Sequence, residues 1–301
     1  FLMDTIVDMK VYGEEAEKAI DKSFAKMKQI EEKMSRNIDS SDISKININA
    51  GKDWVKVDKD TFKVIEKALY YAKLTKGKFD PTIGPLVSLW GIGTSESQVP
   101  SEEQINKMKN LVNYKSLKLD SNKNKVMLSE KGMKLDLGAI AKGFAADEVR
   151  EIVLNHDIKS AFVNLGGNVL VIGGKVDGSN WTVGIQDPRE SRGSVMASID
   201  VKDKTIVTSG NYERYFKKDN KLYHHILNPE SGKPTRNNLL SVSIISKNSF
   251  DADAISTGAF ILGKNKGMEL IENMKNLEGV FITADLEVYL SAGLEGKVQI
   301  L

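Results

Sequence analysis

Cysteine is absent from the 301 residues, which removes disulfides, thiolate metal ligands and thiol nucleophiles. No apolar run approaches the roughly 18 to 20 residues of a membrane-spanning helix. An excess of charge is missing too. The 43 basic and 41 acidic residues leave a net charge of +2, so nothing global favours nucleic acid or an anionic membrane. The common catalytic and nucleotide signatures are also lacking: no GxxxxGKS/T phosphate loop, no GxGxxG turn, no HExxH zinc pair and no Ser/His/Asp arrangement. What remains is an ordinary globular composition, 41% hydrophobic and 28% charged, in a chain long enough to bury a substantial core.

The sequence begins at Phe1-Leu2-Met3, inside an expected strand and without an initiator methionine. A trimmed signal or lipid-anchor segment is therefore expected upstream. Leu2 to Val11 reads as that strand. Apolar residues at three-to-four spacing, among them Ala16, Ile20, Met27 and Met34, predict an amphipathic helix over 14–35. The stretch from Ser35 to Gly51 is polar and reads as turns. A second helix, 61–75, ends at Gly77, where a left-handed cap is sterically free. Phe79 to Gly93 carries two prolines and three glycines and reads as a structured turn region. Ser101 followed by Gln104 predicts a capped helix to Leu111.

Strands are expected near Leu117, at 126–128 and at 134–137, the last leading into a helix through Leu154. Further strands are expected at 161–165, 169–172, 181–186, 195–201, 205–208, 224–227 and 240–245. Helices at 251–262 and 266–274 and closing strands at 279–290 and 296–301 complete the chain. Helices alternate irregularly with mainly antiparallel strands, which is the α+β class.

Five segments could carry chemistry. Asp253 and Thr257 lie four apart on an expected helix, so their side chains share one face about 5 to 6 Å apart. A carboxylate with a hydroxyl is a hard-oxygen pair suited to Mg²⁺, and small neighbours (Ala252, Ala254, Ser256, Gly258) would let a bulky ligand approach. The same residues also suit a plain helix start, with Asp251 as N-cap and Asp253 favoured by the helix dipole. In Leu135-Asp136-Leu137-Gly138-Ala139-Ile140-Ala141-Lys142-Gly143, an apolar strand ends in an acid and small residues open a helix. Free N–H groups there, with Lys142 in the first turn, would attract phosphate; Asp136 could equally be a cap.

Asn164-Leu165-Gly166-Gly167-Asn168 fits a hairpin turn, and its bare glycines could also let a planar ligand lie against backbone. Thr208-Ser209-Gly210-Asn211-Tyr212 leaves a strand with hydroxyls suited to a ribose or phosphate. His224 and His225 are adjacent on an expected strand and so point to opposite faces, which disfavours a metal-binding pair but allows one general base.

Taken in order, these segments resemble the FAD:protein FMN transferase (ApbE) family. Met3-Asp4-Thr5, Phe79-Asp80-Pro81-Thr82-Ile83-Gly84-Pro85-Leu86-Val87 with Leu89-Trp90-Gly91, and 135–143 match it, as do 164–168, 208–212, 225–229 with Ser231-Gly232, and Asp251-Ala252-Asp253-Ala254 with Thr257. The likeness covers nearly the whole chain. It implies a single T-fold-like α+β domain over 1–301, in which FAD lies in a cleft with Mg²⁺ on its diphosphate. By the resemblance, Asp253, Thr257 and the Ala139 carbonyl are metal ligands, with Ser256 a further candidate.

Met3, Phe79, Asp80, Asp136, Lys142, Gly166, Gly167, Ser209 and His225 are then expected to line the flavin nucleotide. Asn37 departs from a frequent aromatic, which removes one flavin-stacking contact, and Asp4 replaces a frequent glycine. The implied reaction moves FMN from FAD to a Thr or Ser hydroxyl of an acceptor protein through a phosphoester bond, releasing AMP. His225 or Asp253 would take the hydroxyl proton. A Mg²⁺-dependent FAD pyrophosphatase or a non-catalytic FAD carrier would keep the same site. The family also implies an extracytoplasmic, lipid-anchored, membrane-associated protein, acting on FMN-binding domains of membrane or extracellular redox systems.

Overall fold

A computed structural model describes residues 1–190 and 193–301. It begins with β1 (Val7–Tyr12), α1 (Ala16–Met34), α2 (Asp42–Ile48), β2 (Val55–Lys56), α3 (Lys59–Leu74), α4 (Gly84–Trp90) and α5 (Glu102–Lys109). Next come β3 (Leu117–Asp120), β4 (Lys125–Leu128), α6 (Ala141–Leu154), β5 (Ser160–Leu165), β6 (Asn168–Ile172), β7 (Trp181–Gln186), β8 (Val195–Val201) and β9 (Lys204–Gly210). Two hairpins follow, β10 (Tyr215–Lys218) with β11 (Lys221–His224), and β12 (Leu227–Asn228) with β13 (Lys233–Pro234). The chain closes with β14 (Leu239–Ser246), α7 (Ser249–Leu262), α8 (Lys264–Glu272), β15 (Leu277–Thr283), β16 (Val288–Leu290) and β17 (Val298–Ile300). Helices mixed with antiparallel sheets make this an α+β fold, as expected. Two compact units divide the chain: unit 1 is 1–29, 140–210 and 238–301, and unit 2 is 30–139 and 211–237.

Unit 1 is built on an antiparallel sheet of order β1-β5-β6-β9-β14-β15-β16. Period-two alternation sends Ile206, Ile245 and Ile282 into one core with Val183, Ile185 and Ile199 of the small sheet β17-β8-β7. Full burial of each such side chain is worth about 1.5–3 kcal/mol relative to exposure. Residues of opposite parity on β9, such as Thr205 and Ser209, meet α7 instead. α7 also packs against β14, α6 and α8, and Phe250 meets Phe144 of α6 at a ring distance of 5.3 Å. It is buried around nearly its whole circumference, so a carboxylate on it is out of place in a purely structural helix.

Unit 2 gathers α2 to α5, the sheet β2-β4-β3 and the two hairpins. Leu86, Trp90, Ile105 and Leu227 form one of its cores, and the Trp90 indole N–H donates to the Gly232 carbonyl at 2.8 Å. The expected capping box is present: Ser101 and Gln104 hold each other's backbone N–H. Past α3, Lys76 takes the left-handed cap position at φ +52°, one residue earlier than expected, and Gly77 follows at +82° with its N–H bonded to the Ala72 carbonyl.

Several expectations are corrected. The strand placed over Leu2 to Val11 starts only at Val7, because Met3 and Asp4 turn the chain at φ +53° and +57° and Leu2 pairs with Thr5. The polar stretch 35–51 contains α2, whose start Ser41 caps by accepting the Ser44 N–H. The turn region 79–93 contains α4, opened near Pro85 and closed by left-handed Gly91. No strand forms at 134–137 beyond a lone bridge from Lys134 to Ile83. There the Asn47 side-chain amide pairs with both the N–H and the carbonyl of Leu135, and Asp136 N–H donates to Pro81. A side chain thus replaces the ladder partner a strand would need. The strand expected at 224–227 is broken after His224, which ends β11. Finally, α7 begins at Ser249 with Asn248 as its N-cap, so Asp251 is not the cap.

Candidate active site

In unit 1 the strongest concentration of chemistry lies where α6, α7 and β9 meet. Asp253 and Thr257 stand four apart on α7, as their spacing predicts. The Asp253 carboxylate is 4% exposed and accepts one hydrogen bond, from the Gly143 N–H of α6 at 2.8 Å. Burial pushes this carboxyl above its usual range, while the Lys142 charge and the Gly143 N–H pull it back. Gly143 is required by that approach. A Cβ there would lie 2.3 Å from the Ser249 carbonyl oxygen and 2.7 Å from the Asp253 Cβ.

Hydroxyls extend the cluster. Ser209 Oγ on β9 lies 2.8 Å from Ser256 Oγ and 3.2 Å from Thr257 Oγ1. The Ser256 hydroxyl donates to the Asp253 backbone carbonyl at 2.9 Å. Neighbouring turns of α7 and one strand therefore present a carboxylate and three hydroxyls together. Lys142 sits in the first turn of α6, whose start at Ile140 has no side-chain cap.

Gly166 and Gly167, also in unit 1, form the turn between β5 and β6 at φ +58° and +93°. Thr5 fills the space over Gly166, where a Cβ would meet its Oγ1, whereas a Cβ on Gly167 would meet nothing within 4 Å. Met3 belongs to the tight turn that delivers Thr5 to that contact. Asp4 departs from the family's frequent glycine but occupies a left-handed φ of +57°, which Asp tolerates better than most side chains.

The other expected residues belong to unit 2. Phe79 is buried, and its N–H bonds to the Thr75 hydroxyl. Asp80 is buried and accepts the Thr82 N–H, the Thr82 hydroxyl and the Tyr114 N–H at 2.7–3.0 Å. Asp136 accepts the Gly138 N–H at 2.8 Å and pairs with Arg36 at 2.9 Å. His224 is buried, with Nε2 2.7 Å from the Thr235 carbonyl, while His225 is half-buried, with Nδ1 3.3 Å from the Arg214 carbonyl. Ala139 lies in the turn just before α6.

Among the described residues no group of three or more His, Cys, Asp or Glu converges on a point. One carboxylate with neutral oxygens suits Mg²⁺, which commonly takes one or two protein carboxylates and completes its shell with water and substrate phosphate. The donor set at Asp253 fits that pattern, and softer metals would want nitrogen or sulfur donors instead. Two features escaped the sequence: the link between Ser209 and α7, and Asp147 of α6, which accepts the Ser249 and Phe250 N–H groups at 2.9 Å. The Asp147 signal was available only as an acid one helical turn beyond Gly143.

A helix-backed antiparallel sheet with one buried acid among hydroxyls defines the class of structure. The ApbE family model matches residues 3–281. The FAD:protein FMN transferase of Treponema pallidum is 34% identical, over 100% of this chain and 88% of that protein. Its namesake in Klebsiella pneumoniae is 35% identical, over 97% and 90%. A crystal structure of the ApbE protein of Thermotoga maritima matches with a TM-score of 0.92 at 36% identity, covering 99% of this chain and 97% of that one. The flavin transferase ApbE of Vibrio cholerae matches at 0.88 and 26% identity, over 98% and 96%. The chain belongs to the ApbE family.

Proposed function

We propose that the protein is a Mg²⁺-dependent FAD:protein FMN transferase. The observation that carries this is the buried Asp253 carboxylate, which accepts one hydrogen bond where the buried Asp80 accepts three, set among the Thr257, Ser256 and Ser209 hydroxyls and beside Lys142. Asp253, Thr257 and the Ala139 carbonyl would hold Mg²⁺. Bound with the FAD diphosphate, that ion would neutralise charge on the phosphate oxygens. Lys142, in the first turn of α6, adds a fixed positive charge for phosphate. Gly167 leaves backbone uncovered for a planar ring.

The acceptor's Thr or Ser oxygen attacks the FMN-side phosphorus, the bond to the AMP oxygen breaks, and FMN remains as a phosphoester. Asp253 is a poor base if its charge serves a metal, so His225 is assigned the hydroxyl proton. Phe79 and Asp136 are assigned to the nucleotide by their family match, whereas the Asp80 carboxylate, already accepting three hydrogen bonds from Thr82 and Tyr114, is assigned to its own turn. Among the described residues, no helix is long and apolar enough to cross a membrane. The proposal places the protein outside the cytoplasmic membrane, lipid-tethered, with FMN-binding domains of redox systems as acceptors.

The test is incubation with FAD and Mg²⁺, with and without an acceptor domain. FMN covalently on the acceptor is the expected product. Free FMN and AMP in both arms would mean a pyrophosphatase, and intact FAD a carrier.

A further inference from the structure

α6 and α7 are joined by two polar braces one helical turn apart on each helix. The first runs from the Gly143 N–H of α6 to the Asp253 carboxylate of α7, at 2.8 Å. The second runs the other way: Asp147, four residues further along α6, accepts the Ser249 N–H on one oxygen and the Phe250 N–H on the other, both at 2.9 Å. The remaining amides of that helix start are already served within α7 itself, Asp251 N–H by the Asn248 side chain and Ala252 N–H by the Asn248 carbonyl. Asp147 therefore supplies two acceptors that local capping does not, and supplies them from a different helix.

A single brace fixes one point and lets a helix turn about it. Two braces separated by a turn fix both its rotation and its position along the partner. Burial pushes the Asp147 carboxyl up to about 6, against the pull of the two N–H groups and of Arg150, with Asp251 opposing them. Asp147 is half-buried, and a carboxylate stands there where a neutral acceptor would cost less to desolvate, which suits a task beyond capping.

We propose that Asp147 is a positioning residue: by pinning the start of α7 to α6, it sets where Asp253 and Thr257 stand relative to Lys142. This rests on the transferase reading for its consequence, but the brace itself can be measured without it. The experiment compares D147N with N248A in the full chain. Asn248 caps the same helix end without crossing to α6, so N248A reports on helix-start stability alone.

Amide exchange at Gly143 reads the brace, and FMN transfer at saturating FAD reads the consequence. D147N is expected to speed Gly143 exchange by about tenfold. It is also expected to lower kcat by roughly tenfold to a hundredfold, since small misplacements of reacting groups cost that much. Its KM for FAD should stay within about twofold, and raising Mg²⁺ should recover part of the rate, because ligand geometry and not the nucleotide pocket is disturbed. N248A should lose a comparable amount of thermal stability yet keep Gly143 protection and kcat. Unchanged Gly143 exchange in D147N overturns the proposal, as does an equal kcat loss in N248A. Faster Gly143 exchange in D147N together with an unmodified acceptor in the wild type would sink the transferase reading and leave the brace standing.

Discussion

Asp80 in unit 2 and Asp253 in unit 1 are both buried carboxylates, and burial pushes both upward. Their surroundings differ in one respect. Asp80 accepts three hydrogen bonds from Thr82 and Tyr114, all within one turn region and its neighbour. Asp253 accepts one, from Gly143, and has hydroxyls and a lysine nearby. A buried carboxylate has about four lone-pair sites, so Asp80 is close to spent while Asp253 holds capacity in reserve. Satisfied buried acids hold a chain together, and an undersatisfied one is a candidate for a ligand.

The sharpest way to break that contrast is Asp253→Ala. Loss of a sole carboxylate ligand is expected to reduce Mg²⁺-dependent flavinylation of an acceptor by about a thousandfold or more, within the range one preorganised electrostatic group supplies. The unfolding midpoint should change little, because relief of a buried carboxylate offsets the Gly143 N–H left without its acceptor. Near-normal in-gel flavin fluorescence of the acceptor would remove Asp253 from the site.

Gly143→Ala tests the same contact from the other helix. In an open helix this change would gain about 1 kcal/mol, since glycine is the poorer helix former. Here the new Cβ falls 2.3 Å from a carbonyl oxygen and 2.7 Å from the Asp253 Cβ, so overpacking of about 1–3 kcal/mol should win. Urea denaturation gives the sign directly. A stabilised variant would mean that α6 and α7 separate at little cost.

Asp80→Asn in unit 2 should behave in the opposite manner to Asp253→Ala. Leaving a buried N–H without its acceptor costs about 1–3 kcal/mol, and transfer should fall only with the folded fraction. Weakened FAD binding in a variant of unchanged stability would instead assign Asp80 to the nucleotide.

What the sequence revealed follows the range of the interactions involved. The four-residue spacing of Asp253 and Thr257, the Ser101–Gln104 box and the Gly166-Gly167 turn depend on neighbours in sequence, and all three have the expected local form. The N-terminal turn was hidden because Leu2 and Met3 carry a strand's composition, whereas Thr5 is drawn out of line by its contact with Gly166, 161 positions away. The segment 134–137 has the polar–apolar alternation of a strand, yet its pairing partner is the amide of Asn47. No periodicity announces a side chain that substitutes for a strand. The Ser209 contacts with Ser256 and Thr257 were equally out of reach, since they span 47 and 48 residues.

The two histidines of unit 2 allow the smallest effect and a clean sign. The Thr235 carbonyl can only accept, so His224 carries its proton on Nε2, and Nδ1 is left to accept the Ile226 N–H at 3.3 Å. Burial is the larger influence and lowers the His224 pKa below 6.5, outweighing the pull of the Thr235 carbonyl. Below pH 6.5 the unfolded chain takes up a proton that the folded ring resists. The stability His224 contributes is therefore complete above pH 6.5 and is lost as pH falls through the folded value, at no more than about 1.4 kcal/mol per pH unit. His224→Gln should flatten that part of a urea-midpoint profile between pH 7.5 and 5, while leaving transfer at pH 7.5 tied to the folded fraction. His225→Ala, at the half-buried neighbour, should lower transfer. A pH-dependent midpoint that follows His225 and not His224 would exchange the structural and catalytic roles of the pair.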